Sequence, residues 1–175
     1  MNIEKLIRQH RLRPADAVEL VCADGGLIKH YAIYLGMYEG QVSFIANLDP
    51  GVRIIRGQEL SGFVEKYEIT NVERPTGTVP QRRGIIRRAL SRLGERAYCL
   101  VTNNCEHFKN WALRLDASSS QVREIGQKIF YTGVILSLIA LASHKKGLQK
   151  AGLFVMVSPI LILFLILFLG SLKKN

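Results

Sequence analysis

From Ala151 to Leu172 the chain reads AGLFVMVSPILILFLILFLGSL, 22 residues without a charge. Wound as a helix, that run rises about 33 Å, close to the roughly 30 Å hydrocarbon core of a bilayer. No other feature restricts the fold as strongly. The expectation is a membrane-spanning segment over 151–172. Pro159 is compatible with it, because membrane helices satisfy freed backbone groups by other means.

A second apolar run, 129-IFYTGVILSLIALAS-143, has only 15 residues and is followed by His144, Lys145 and Lys146. It is short for a span, so an interfacial or re-entrant helix is expected there, with half of a hairpin as the alternative. All 14 acidic residues lie at or before Glu124, which leaves residues 129–175 with positive charge only. Basic flanks favour the cytosolic side. With one span, residues 1–125 form a cytosolic folded domain and 126–175 an anchoring tail. With two, the lysines between the runs would lie across the membrane, against that rule.

The 175 residues suffice for one domain with a substantial core. Cys22, Cys99 and Cys105 form no CxxC pair, which argues against a disulfide framework. The opening 1-MNIEKLIRQHRLRP-14 lacks the apolar run of a secretory signal.

Within the folded part, 17-AVELVCA-23 reads as a strand. The segment 28-IKHYAIYLG-36 alternates, placing His30, Ala32 and Tyr34 on one face and Tyr31, Ile33 and Leu35 on the other. Residues 41-QVSFIANL-48 follow as its antiparallel neighbour, and 52-VRIIRG-57 and 63-FVEKYEIT-70 continue the β pattern. A loop is expected over 74-RPTGTVP-80. From 82 to 93 the period turns helical, with Ile86, Ala89, Leu90 and Leu93 on one face and Arg83, Arg87, Arg88 and Arg92 around the rest. Those arginines suit a solvated face or anionic headgroups; with no interleaved aromatics, nucleic acid is not an expected partner. A strand, 97-AYCLVT-102, then leads to Asn103, and Phe108, Trp111, Ala112 and Leu115 mark the buried face of a helix starting near Cys105.

That helix start carries the chemistry. Unpaired N–H groups and the helix dipole favour a thiolate there, and a histidine nearby completes the requirements of a nucleophile. His107 lies about 200° around the same helix from Cys105 and points away. His30, on a strand, is the preferred base. The alternative is a small packed cysteine and a structural histidine. Cys99, Cys105 and His107 lack paired metal-ligand spacing, so neither a metal nor a cofactor is expected.

Two stretches, 30-HYAIYLG-36 and 104-NCEHF-108, resemble the His box and the Asn-Cys box of the lecithin retinol acyltransferase-like family. That family includes the phospholipase A/acyltransferases and lies in the wider NlpC/P60 thiol superfamily. The similarity runs from about Asp16 to Val122. It implies an α+β fold, with an antiparallel sheet packed on helices in a permuted papain-like arrangement. It also implies a cysteine-dependent phospholipase A or acyltransferase. Cys105 would take an acyl group from a membrane glycerophospholipid, His30 would act as base and acid, and water, a lysophospholipid, an amine or an alcohol would receive the acyl group. Where animal relatives carry a second, orienting histidine, this chain offers Asn47; a shifted register would bring Ala46 or Ser43 there instead. Ile28 stands where phospholipase-type relatives often place tyrosine. The substitution at Asn47 favours the other reading of the resemblance, a non-enzymatic member that binds partners or remodels membranes.

Overall fold

The computed structural model describes residues 3–23 and 28–142; the apolar run 151–172 lies outside them. The chain divides into two units, the first ending at Ser119. Its elements are α1 (Ile3–His10), β1 (Ala17–Cys22), β2 (His30–Tyr38), β3 (Gln41–Leu48), β4 (Gly51–Arg56), α2 (Gly57–Lys66), β5 (Tyr67–Glu73), α3 (Val79–Ser91) and α4 (Cys105–Arg114). The second unit contains α5 (Ser120–Ala142). The fold is α+β.

All five strands join one antiparallel sheet in the order β4-β3-β2-β1-β5. Strands β1, β2 and β3 are inside it, and the sheet's side chains feed two cores on opposite faces. Leu20, Ala32, Tyr34, Phe44, Ala46 and Ile55 meet Leu6 of α1 and Leu60 and Val64 of α2. On the other face Ala17, Ile33, Leu35, Ile45 and Val52 meet Ala89 of α3 and Phe108 and Ala112 of α4. The alternation of the strands thus separates α1 and α2 from α3 and α4.

Two expected strands are corrected, the first in part. Of 63–70 only the residues from Tyr67 are β; 63–66 end the helix 57–66, in which Leu60, Phe63 and Val64 sit three and four apart and cover the sheet from one stripe. Residues 97–102 form no strand: 100–102 turn, with a single bridge between Cys99 and Asn103; the sheet's edges are already β4 and β5. The arginine-rich helix begins earlier than expected, at Val79, where Thr78 and Gln81 form a capping box.

Two glycines are required by geometry. Gly36 has φ of +83° beside the bulge at which the β2–β3 register shifts. At Gly51 a side chain would run into the Glu95 carbonyl, which accepts a hydrogen bond from Val52 N–H at 2.9 Å. That close approach fastens the turn after α3 to β4.

In the second unit, α5 contains the run expected to be interfacial, apart from Ser143, but begins nine residues before it, with Arg123, Glu124 and Lys128 in its first half. Phe130, Tyr131, Ile135, Leu138 and Ile139 are exposed on it. Among the described residues, no helix is long and apolar enough to cross a membrane.

Candidate active site

Cys105 is the first residue of α4, and the residue before it makes that helix begin. The Asn104 side-chain oxygen accepts hydrogen bonds from Glu106 N–H and His107 N–H, each at 3.0 Å. His107 Nδ1 lies 2.9 Å from the same oxygen and 3.4 Å from Asn104 N, closing a capping box in which histidine takes the usual glutamate position. The Asn104 amide donates to the Leu100 carbonyl at 2.8 Å. His107 is therefore a cap, turned from the thiol as its position on the helix requires.

The loop leading to Asn104 is fastened by a polar cluster. Arg92 grips the Glu95 carboxylate at 2.6 and 2.7 Å and reaches Asn103 Oδ1 at 3.1 Å. Its guanidinium lies 4.9 Å from the centre of the Trp111 ring, so it also packs on α4. Asn103 donates to the Ala97 carbonyl at 2.7 Å. Asn47 Nδ2 donates to the Asn103 carbonyl at 2.7 Å.

Cys105 Sγ lies against the start of β2, where the Lys29 carbonyl is 3.8 Å away. Only 3% of the residue is exposed. Burial pushes the thiol above its ordinary pKa, and Glu106 adds to that; the backbone N–H groups of Tyr31, Cys105 and Glu106 act in the opposite direction. Desolvation wins over the helix terminus, so the resting group is a neutral thiol, not the thiolate that the helix start alone suggests.

His30 lies at the same end of β2 but on the other face of the sheet. It pairs with Leu20, a residue of the α1–α2 core, and its ring packs edge-on against Tyr67 at 5.1 Å. Nδ1 is buried and has no hydrogen-bond partner among the described residues. Burial, then the nearby Lys66 charge, hold the imidazole below its ordinary pKa, which keeps it neutral at neutral pH. The structure therefore brings Cys105 to the backbone around His30 and leaves the imidazole on the far side. Tyr31, not His30, sends its side chain toward α4: its hydroxyl donates to Glu19 at 3.0 Å and Lys109 Nζ lies over its ring at 4.8 Å.

Asn47, expected to orient His30, also lies on the other face of the sheet from its ring. Asn47 lies two residues from Ile45 and opposite Val52, both in the α3–α4 core, whereas Ala46 and Leu48 share the His30 face. Its amide is used to hold Asn103. The register that decides this includes the bulge at Gly36, and one residue reverses every side chain. Ser43, the other position considered, donates to the Gln41 carbonyl at 3.0 Å.

Sequence reasoning missed Asn104, although asparagine before an amphipathic run is a helix-start signal. It also missed Arg92 and Asn103, whose roles depend on a loop closing back on α4. Among the described residues no group of His, Cys, Asp or Glu could hold a metal ion.

The family model for lecithin retinol acyltransferase matches residues 10–117, more than half of the chain and all of the sheet. No curated protein is similar enough to the chain to match it.

Proposed function

The chain belongs to the lecithin retinol acyltransferase family, a family of acyltransferase and phospholipase-like activity, and from that premise we propose that it moves acyl groups from glycerophospholipids through Cys105. One observation supports this most: Sγ sits at the first turn of α4, where the backbone N–H groups of Tyr31, Cys105 and Glu106 favour its thiolate against the burial. The same donors would stabilise first a thiolate and then the oxyanion of a tetrahedral intermediate.

In the reaction the Sγ–H proton passes to the neutral His30 imidazole, and sulfur attacks the ester carbonyl. The carbonyl–oxygen bond to glycerol breaks as His30 returns the proton to the leaving alkoxide, leaving a thioester on Cys105. Water, or the hydroxyl or amine of an acceptor, then attacks the thioester, loses its proton through His30 and releases the thiol. For this the His30 ring must leave Tyr67 and come round the end of β2, and the covered thiol must open to the lipid. The arrangement is thus a closed resting state. The apolar run 151–172 would hold the domain on the cytosolic side of a membrane, within reach of its substrate.

A second reading has specific support in the covered thiol, the averted imidazole and the tether role of Asn47: a family member that binds partners or remodels membranes without turnover. Intact-mass measurement after mixing the full chain with phosphatidylcholine vesicles separates the two. The enzyme reading expects an acyl adduct that is lost in Cys105→Ser; an unchanged mass, with no lysophospholipid released, rejects it.

A further inference from the structure

At the opposite end of α4 from Cys105, about 14 Å along the helix axis, lies a cavity of about 470 Å³ between the end of β5, α3 and the last turn of α4. Three arginines line it, Arg74, Arg88 and Arg114, against a single carboxylate, Glu73. That carboxylate is already occupied: Lys109 Nζ binds it at 2.8 Å and Arg114 takes its other oxygen. The positive charge of the remaining groups is left over. Among the described residues Arg88 gives only Nε to the Ala112 carbonyl, at 2.9 Å, and Arg74 one terminal nitrogen to the His10 carbonyl, at 2.7 Å.

The walls are held independently of any ligand. Arg82 ties the Pro75 carbonyl at 2.9 Å and the buried Asp16 carboxylate at 2.6 Å, fixing the loop before α3 to the start of β1. Buried Ile85 closes the floor. At Gly84 a side chain is missing, and the guanidinium of Arg88 lies 3.8 Å from the position of a Cβ there. Planar guanidinium groups with free N–H donors, facing a preformed hollow, match the geometry of phosphate oxygens. The volume falls in the range of small-molecule sites.

We infer that this cavity binds a terminal phosphate group, separately from the candidate active site and whether or not Cys105 reacts. The same chemistry is offered by the headgroup of an anionic phospholipid and by a soluble phosphate.

The test is calorimetric titration of the full chain in nonionic detergent with sodium phosphate, dihexanoyl phosphatidic acid and dihexanoyl phosphatidylcholine. Saturable binding of phosphatidic acid at least tenfold tighter than of sodium phosphate supports the site as a headgroup site; equal binding of the two supports it as a site for soluble phosphate. In either case Arg88→Gln and Gly84→Leu should each weaken binding of the phosphate-bearing ligand at least tenfold. Gly84→Leu fills the hollow from a helix interior that favours leucine over glycine, so it keeps the test valid if Arg88→Gln unfolds through loss of its bond to Ala112. Phosphatidylcholine, a capped diester, should bind at least tenfold more weakly than phosphatidic acid; equal binding of the two overturns the inference. The inference is overturned if neither sodium phosphate nor phosphatidic acid binds, or if folded Gly84→Leu binds phosphatidic acid within twofold of the unaltered chain.

Discussion

Replacing Asn104 with alanine tests the view that one side chain both starts α4 and sets the thiol in place. Its oxygen serves two backbone N–H groups at 3.0 Å, and its amide serves the Leu100 carbonyl at 2.8 Å. Loss of such a cap costs about 0.5–2 kcal/mol, typically about 1. The residue is buried, so water does not readily replace the lost acceptor, and a carbonyl short of its partner adds about 1 kcal/mol. The expected loss is about 2–3 kcal/mol, or roughly 6–15 °C in melting temperature for a unit of this size. Asn104→Ser keeps an oxygen acceptor and loses only the amide donors, so it should cost about 1 kcal/mol. Trp111 is the only tryptophan of the chain and lies on α4, so its fluorescence in urea reports this helix directly. Alkylation of Cys105 by iodoacetamide should speed up in Asn104→Ala as the first turn frays. A loss below about 0.5 kcal/mol in Asn104→Ala, or an equal loss in Asn104→Ser, would refute the capping argument.

Three further outcomes are expected. His30→Ala should lower acyl transfer by about 10²–10⁴-fold, whereas His107→Ala should act on stability through the capping box; equal inactivity of two folded variants in a lysophospholipid-release assay contradicts the assignment. The Cys105 pKa is raised in the folded state, so the stability of the neutral buried thiol is present in full below the ordinary value of about 8.5 and is lost as pH rises through the folded value. Urea midpoints of the native chain should therefore fall above that pH, and Cys105→Ser should flatten the decline. Asn47→Ala should destabilise the first unit by about 1–3 kcal/mol by orphaning the Asn103 carbonyl, measured by the same fluorescence; a neutral result removes the tether.

Most of the sheet was legible because its information is local. The alternation in 28–36 and 41–48 and the turn between them specify a two-faced antiparallel pair, and β1 and β4 follow from the same pattern. The start of α4 was equally legible, since Phe108, Trp111 and Ala112 repeat at helical spacing. The strand expected at 97–102 and the β character expected at 63–66 were not, because short apolar runs suit either state until packing chooses.

The candidate site divides along the same line. Cys105 at a helix start and His30 at a strand start are positions along the chain, and the sequence by itself determines both. Which side of the sheet each side chain takes depends on register, and register depends on a bulge at Gly36 and on the partners of β2 in space. Tertiary structure alone therefore turned His30 toward Tyr67, turned Asn47 toward Asn103 and buried Cys105 deeply enough for desolvation to overcome the helix dipole. The physical reason is that periodicity sets which residues share a face, while only the closed core sets what each face meets.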